Sequence, residues 1–234
     1  MRPAVHAALN GDRAHPGTPR TPDELAREAR AAVAASAASL HLHPYDETGR
    51  QTLHSEPCAA ALRAVRANCP GIPISLSTSA DIEPDPQRRK ELISGWTELP
   101  ELVTANQGEE GIVEVCELLL ARGVGIEAGL LSVADSQAFL RSGLARYCVR
   151  ALIEPLDPDL GDAVAHAEAI ERSLADGGVR LEQVHHGDGI ASWAVNRSAA
   201  ARGHSIRTGL EDTQFCRMGA RQLATASSSP LPGR

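Results

Sequence analysis

The sequence predicts a (β/α)8 barrel, and three observations support that prediction. Short apolar runs alternate with amphipathic helical stretches along the chain, a pattern typical of a parallel sheet covered by helices. Eight such runs occur in 234 residues, and a closed eight-stranded barrel takes ~250 residues. A polar residue ends almost every run, and in a barrel these ends meet at one rim, where active sites lie.

The predicted strands are short and mostly apolar. They cover residues 5–9, 38–43, 74–78, 102–106, 125–129, 147–154, 181–186 and 205–210. The best-defined helix begins at Thr21, where an N-cap threonine, Pro22 at the first helical position and Glu24 form a capping box. Further helices are predicted at 56–67, 86–95, 110–122, 132–142, 162–175 and 190–201. A doubly wound open sheet is the alternative, and the recurrence of polar strand ends disfavours it.

No linker divides the sequence, so residues 1–215 are predicted to form a single barrel domain. Residues 216–234 are basic and rich in serine, which predicts a disordered tail. The eighth covering helix is therefore expected to be short or missing. An apolar flank of the barrel would then be open, and a second copy of the chain could cover it, so we expect a homo-oligomer.

Composition excludes several classes of protein. The formal charge of −7 argues against nucleic acid as the main partner, because phosphate binding needs a basic face. No apolar run approaches the ~20 residues that cross a membrane, and no signal-peptide pattern opens the sequence. The five cysteines are scattered and never spaced as Cys-x-x-Cys. Buried free thiols in a reducing, cytoplasmic compartment are expected.

The pair His41 and His43 ends the second predicted strand. Alternate residues of a strand point to the same face, so the two imidazoles should converge while Leu42 faces away. Two neutral imidazoles and one carboxylate, with one open position, form a common ligand set for catalytic zinc. Paired histidines on a strand can also be buried, hydrogen-bonded core residues. At a strand end, a metal site is the favoured interpretation.

The segment 207–212, Arg-Thr-Gly-Leu-Glu-Asp, ends the eighth predicted strand. Closure of the barrel would bring Glu211 near the two histidines as a third ligand. Arg207 and Glu211 share one strand face, and Gly209 between them is expected to leave room for a ligand. Asp212 beside the Arg207 guanidinium should have a lowered pKa. A helix N-cap role for Glu211 and Asp212 is the alternative.

With these residues in view, the chain resembles the beta-keto acid cleavage enzyme family. The resemblance is most specific in segments 40–46, 77–79, 125–129 and 207–212, and segments 9–11 and 21–25 also fit. It implies a zinc ion held by His41, His43 and Glu211. The catalytic residues implied are Arg207 and Asp212, as the charged pair that moves a substrate proton, and Glu127 as a carboxylate facing the site. The substrate-binding residues would be Ser77, Thr104 and Asn106.

The chemistry implied by the resemblance agrees with these residue types. A beta-keto acid can chelate a Lewis-acidic ion through its ketone and carboxylate oxygens, and zinc then stabilises the enolate that develops. By the resemblance, acetyl-CoA is the second substrate, and acetoacetate and a new acyl-CoA leave after retro-Claisen cleavage. The enzyme would be an acyltransferase. Glu127 between small residues on an apolar strand is expected at the barrel rim.

Two departures from the family keep alternatives open. Tyr45 stands where many members carry an arginine, and Ser79 stands where a glycine is common. A degenerate member that binds metal or ligand without turnover is therefore one alternative. A metal-dependent hydrolase is another, because such barrels also carry His-x-His at a strand end. The roles of His185 and His186 stay open.

Overall fold

Eight parallel strands close into one barrel, in the order of the chain, with β1 hydrogen-bonded to both β2 and β8. The computed structural model describes residues 3–13 and 17–212. The strands are β1 (Val5–Ala8), β2 (Leu40–Leu42), β3 (Ile74–Ser77), β4 (Leu102–Asn106), β5 (Gly125–Leu130), β6 (Arg150–Ile153), β7 (Glu182–His185) and β8 (Ser205–Gly209). The predicted barrel is confirmed, and closure rules out the open-sheet alternative.

Helices follow the first seven strands. They are α1 (Pro22–Ala34), α2 (Ser55–Asn68), α3 (Pro86–Ser94), α4 (Ile112–Ala121), α5 (Val133–Ser142), α6 (Leu160–Asp176) and α7 (Ser192–Ala201). The position of an eighth helix and the predicted disordered tail lie in 213–234, outside the described residues. Within the described segments, no helix combines the length and apolar character needed to cross a membrane.

Helix α1 begins as the capping box predicts. The Thr21 hydroxyl accepts from the Glu24 N–H at 3.3 Å, and the Glu24 carboxylate accepts from the Thr21 N–H at 3.0 Å. These bonds satisfy two backbone donors that a helix N-terminus leaves free. Leu25 and Ala29 then fall on one face of the helix and are buried against the sheet.

The apolar core lies between the barrel and the surrounding helices. Outward-facing strand residues such as Leu42, Leu76 and Ile126 are fully buried there. The interior of the barrel is polar by contrast, because the residues that alternate with them carry hydrogen-bonding side chains. The four described cysteines are buried and free, as expected: Cys58, Cys69, Cys116 and Cys148.

Most predicted boundaries agree with the structure within two residues, but a 3-10 turn changes two of the predicted elements. The strand predicted at 147–154 starts only at Arg150, because a 3-10 turn at Leu144–Tyr147 precedes it. Gly143, with φ of 72°, ends α5 in the left-handed conformation that glycine adopts most easily, and the turn follows directly. The helix predicted at 190–201 is likewise divided into a 3-10 turn at Gly189–Ala191 and α7.

Candidate metal centre

A cavity of about 790 Å³ opens at the carboxyl ends of the strands. Eight of the nine site residues predicted from the sequence line it: His41, His43, Ser77, Thr104, Asn106, Arg207, Glu211 and Asp212. The ninth, Glu127, does not. The cavity therefore collects residues from β2, β3, β4 and β8 and from the segments that follow β2 and β8.

His41, His43 and Glu211 converge at the floor of this cavity. The two Nε2 atoms lie 3.1 Å apart, and Glu211 Oε1 lies 3.0 Å from His43 Nε2 and 3.7 Å from His41 Nε2. The rings meet edge to face, with 84° between their planes. Leu42 points the opposite way into the core. One nitrogen of each ring and one carboxylate oxygen thus face a common point.

The far side of the His43 ring has a close hydrogen-bond partner. His43 Nδ1 lies 2.6 Å from Gln51 Oε1, and an antiparallel bridge between Tyr45 and Gln51 brings that amide into place. The His43 backbone is fixed by Asn10, whose Oδ1 accepts from its N–H at 2.8 Å and whose Nδ2 donates to its carbonyl at 2.9 Å. Sequence reasoning missed Gln51, because nothing in the spacing singles out a glutamine eight residues further on.

The donor set fits a transition-metal ion. Glu211 Oε2 is buried and has no hydrogen-bond partner among the described residues, so one carboxylate oxygen is available for a cation. Burial first and the Arg207 charge second lower the pKa of His41 to about 4, which keeps its imidazole neutral. Neutral imidazole and ionised carboxylate are the forms that bind metal. These three residues could therefore hold a metal.

Glu127 lies inside the barrel and not at its rim, which corrects the expectation from the sequence. It is fully buried on β5. Its Oε1 accepts from Arg150 Nε at 2.7 Å, and its Oε2 accepts from Arg207 Nη2 at 2.8 Å. Burial alone would raise the pKa of Glu127, but the two guanidinium groups hold it well below its usual range. Glu127 is thus an ionised structural anchor beneath the cavity.

The expected Arg207–Asp212 pair is also corrected. Arg207 bonds Glu127 and Thr104, whereas Asp212 Oδ1 lies 3.0 Å from His186 Nδ1. No hydrogen bond or ion pair joins Arg207 to Asp212, although the structure describes both. The strand ends at Gly209, and the turn that follows brings Asp212 to the same cavity as Arg207 without a hydrogen bond or ion pair between the two side chains.

Asp212, His186 and Glu154 form a chain of charged groups beside the metal ligands. His186 Nε2 lies 3.2 Å from Glu154 Oε2. Burial opposes the charge on His186, yet Glu154 and Asp212 together raise its pKa to about 10. Burial raises the pKa of Asp212 to about 6, opposite to the direction expected from the sequence. Asp212 Oδ2 is buried without a hydrogen-bond partner among the described residues.

Gly209 does not leave room for a ligand, contrary to the expectation. A Cβ atom at this position would lie 1.8 Å from the Ala8 carbonyl oxygen. The glycine therefore serves the close approach of β8 to β1.

Tyr45 lines the cavity and contacts the loop that follows β1. The Arg20 guanidinium lies 5.3 Å from the Tyr45 ring centroid, a cation–π distance. The Tyr45 hydroxyl donates to the Gly11 carbonyl. The loops after β1 and β2 are thereby joined at the cavity wall.

A second group of possible ligands comprises Glu171, His185 and His204. The two rings are stacked, with 26° between their planes, so their in-plane lone pairs run nearly parallel. Glu171 already bonds Arg202 at 3.0 Å and His204 at 2.8 Å. This group is better described as an ion-paired stack outside the barrel. His185 belongs to it, so the structure does not bring that histidine to the cavity.

Fold and site together define the class: a (β/α)8-barrel protein with two histidines and one glutamate gathered at the carboxyl ends of its strands. A profile of the beta-keto acid cleavage enzyme family matches residues 3–147. Because this match spans more than half of the chain, the chain belongs to that family.

One curated relative and two solved structures illustrate what the chain is similar to. The 3-keto-5-aminohexanoate cleavage enzyme of Fusobacterium nucleatum is 35% identical over 68 residues, which are 29% of this chain and 25% of the relative. The apo structure of ObcA aligns with a TM-score of 0.65 and 18% identity, over 86% of this chain and 56% of ObcA. The 3-dehydroquinate dehydratase of Geobacillus kaustophilus aligns with a TM-score of 0.64 and 16% identity, over 88% of this chain and 81% of the dehydratase. These two structures support the fold alone.

Proposed function

We propose that the chain is a zinc-dependent enzyme that cleaves a beta-keto acid with acetyl-CoA, producing acetoacetate and a new acyl-CoA. One observation carries the proposal: two imidazole nitrogens and a carboxylate oxygen gather in the cavity of a barrel that belongs to the beta-keto acid cleavage enzyme family. The chain spans only a quarter of the curated relative it matches, so the activity is inferred for this chain from its own residues.

His41, His43 and Glu211 would hold the zinc ion. When bound, zinc supplies a Lewis acid that polarises the substrate ketone. Arg207 lines the cavity and keeps one buried Nε–H without a partner among the described residues. That donor is suited to a substrate carboxylate. Ser77 and Asn106 line the same cavity and add a hydroxyl and an amide for orienting the substrate.

Asp212 is the proposed base, because it lines the cavity and its buried Oδ2 has no hydrogen-bond partner in the described chain. It removes a proton from the carbon between the ketone and the carboxylate. That carbon attacks the acetyl thioester, and the CoA thiolate leaves. The thiolate then attacks the original ketone carbon, the bond to the attacking carbon breaks, and that carbon recovers its proton from Asp212. Acetoacetate and a new acyl-CoA result, with no change of oxidation state.

His186 and Glu154 would support Asp212 in this role. His186 donates through Nδ1 to Asp212 Oδ1 at 3.0 Å, and Glu154 Oε2 lies 3.2 Å from His186 Nε2 on the other side of the ring. Because Oδ1 is engaged by His186, Oδ2 is the oxygen of Asp212 that remains for a substrate proton. Placement of the base within hydrogen-bond reach is the first requirement of general base catalysis.

The test is incubation of the zinc-loaded protein with a panel of beta-keto acids and acetyl-CoA. Acetoacetate and a new thioester should appear together, one for one, and neither should form with His41→Ala. Hydrolysis of a substrate without acetyl-CoA would favour the metal-dependent hydrolase. Zinc retention without any product across the panel would favour the member that has lost turnover.

We also propose that the enzyme forms homo-oligomers in the cytoplasm. Large apolar side chains stay exposed on the described surface, including Tyr147, Val149 and Ile190, at 54%, 48% and 66%. Buried free thiols agree with a reducing compartment. Light scattering on the purified chain would report a mass above 24.7 kDa if the protomers associate.

A further inference from the structure

The proton positions around Glu127 can be worked out from its partners. Its Oε2 accepts three hydrogen bonds, from the Ser75 hydroxyl, from the Thr104 hydroxyl at 3.0 Å and from Arg207 Nη2 at 2.8 Å. An ionised carboxylate has no hydrogen to donate. Both hydroxyl hydrogens must therefore point at Glu127.

The two hydroxyl oxygens can then only accept from their other neighbours. His41 Nδ1 lies 3.4 Å from Ser75 Oγ and 3.4 Å from Thr104 Oγ1. Arg207 Nη1 also donates to Thr104 Oγ1, at 3.3 Å, and occupies one of its lone pairs. An N–H shared between two acceptors makes longer bonds than a single one, which matches the two equal distances.

We infer that Ser75 and Thr104 are positioning residues that hold His41 in its Nδ1–H tautomer and leave the Nε2 lone pair free for a metal. A neutral imidazole carries its hydrogen on one nitrogen only, and the partner of one nitrogen decides the state of the other. Because both oxygens facing Nδ1 lack a hydrogen to offer, the hydrogen has to be on Nδ1. The inference rests on the metal site of the proposed function.

The two histidines therefore depend on different supports. His43 Nδ1 faces the amide oxygen of Gln51, a residue of the surface hairpin after β2. His41 faces hydroxyls on β3 and β4 whose hydrogens are committed to a buried carboxylate. The hydrogen bonds that position His41 come from β3, β4 and β5 of the barrel. They form without a metal ion or a substrate in the cavity.

The first readout is the side-chain ¹⁵N NMR spectrum of ¹⁵N-histidine protein without metal. Wild type should show His41 as the Nδ1–H tautomer. In the double variant Ser75→Ala, Thr104→Val, which keeps both arginine bonds to Glu127, His41 should shift towards the Nε2–H tautomer. The single variant Thr104→Ser, in which Ser75 is unchanged, keeps both hydroxyl groups and should show the same His41 tautomer as wild type.

The second readout is the affinity for Zn²⁺ alone, measured by competition with a chelating dye. Loss of an outer partner of a metal-binding histidine typically costs about 10–100-fold in affinity, and we expect a loss of that size in the double variant. Ser39→Ala is the matched control. It removes a buried hydroxyl that bonds His6 and Arg150 in the same barrel but not His41, and it should retain the wild-type affinity.

The outcomes separate cleanly. An unchanged His41 tautomer in the double variant would overturn the inference, and so would an equal loss of Zn²⁺ affinity in Ser39→Ala. If wild type binds no Zn²⁺ at all, the proposed function fails, while the tautomer measured without metal still decides the inference. Circular dichroism of each variant confirms that the barrel is folded before either readout is taken.

Discussion

At the residue scale, the centre is organised by bonds that leave its ligand atoms little freedom. Asn10 holds the His43 backbone through two hydrogen bonds, and Gln51 holds the ring. Glu211 follows the strand that ends at Gly209 and lies beside His43. Preorganised ligand atoms of this kind lose little conformational entropy when a cation binds.

The first prediction concerns the ligands themselves. His41→Ala and Glu211→Ala should each strip the metal, because three protein ligands leave none to spare. Elemental analysis should fall from about one ion per chain to background. His54→Ala is the control, since this exposed imidazole precedes α2 away from the cavity. Unchanged metal content in either ligand variant would refute the assignment.

The second prediction concerns the base. Asp212→Asn should keep the metal, because the residue is not one of the three ligands, but it should lower kcat by about 10²–10⁴-fold, the usual contribution of a general base. Steady-state rates and metal content are measured on the same preparation. Asp162→Asn, an exposed change in the first turn of α6, serves as the control. Near-normal turnover in the Asp212 variant would remove its role.

Strand parity was enough to predict that His41 and His43 gather at the cavity, whereas the substrate-binding residues were implied by the family resemblance. His41 in β2 and His43 directly after it converge because they are two apart along one extended segment, and this was readable without a structure. The partners of Asp212 and Arg207 were not readable. They depend on where β8 ends and on Glu127 and His186, which come from β5 and the end of β7 and meet β8 only once the barrel closes.

At the element scale, the start of helix α1 is stabilised by its own capping residues, and this stabilisation can be measured. Thr21→Ala should destabilise the protein by about 1 kcal/mol, because the Glu24 N–H loses its capping partner. Urea denaturation would measure the change in the free energy of unfolding. Thr21→Ser keeps the hydroxyl, so its free energy of unfolding should stay within a few tenths of a kcal/mol of wild type. Equal losses in both variants would show that the cap is not the cause.

The start of an element was predictable where a side chain caps the backbone. The prediction failed where the preceding turn has no side-chain signature. Thr21 and Pro22 mark the start of α1 in the sequence itself. The turn at Leu144–Tyr147 has no such signature, so its last residue, Tyr147, was assigned to the following strand. The decisive feature is the left-handed backbone of Gly143, and a single glycine is too common to predict it.

At the scale of the whole molecule, closure depends on the contact between the first and last strands. Ala8 pairs with Gly209, and the backbones approach so closely that no side chain fits on the β8 residue. The sequence predicted a closed barrel from its alternation of strands and helices. It could not predict this contact, because the register of β1 on β8 is set by all seven other pairings around the ring.

This contact yields a fourth prediction. Gly209→Ala should destabilise the barrel by about 1–3 kcal/mol or more, since the added methyl has to displace backbone. Gly95→Ala is the matched control: its Cβ would lie 3.4 Å from the Leu92 oxygen, an ordinary contact, so its effect should stay within about 0.5 kcal/mol. Chemical denaturation of both variants gives the comparison. Wild-type stability in Gly209→Ala would contradict the tight closure.

The side chain of Asn10 extends the sheet beyond its last regular rung. By donating to the carbonyl and accepting from the N–H of His43, the amide imitates a neighbouring strand where β1 has already stopped. The same Nδ2 group also donates to Pro19 at 2.9 Å, where the chain returns from the intervening loop. A single amide thus ties the backbone of His43 to the point where the loop rejoins the barrel, so replacing Asn10 would release both at once.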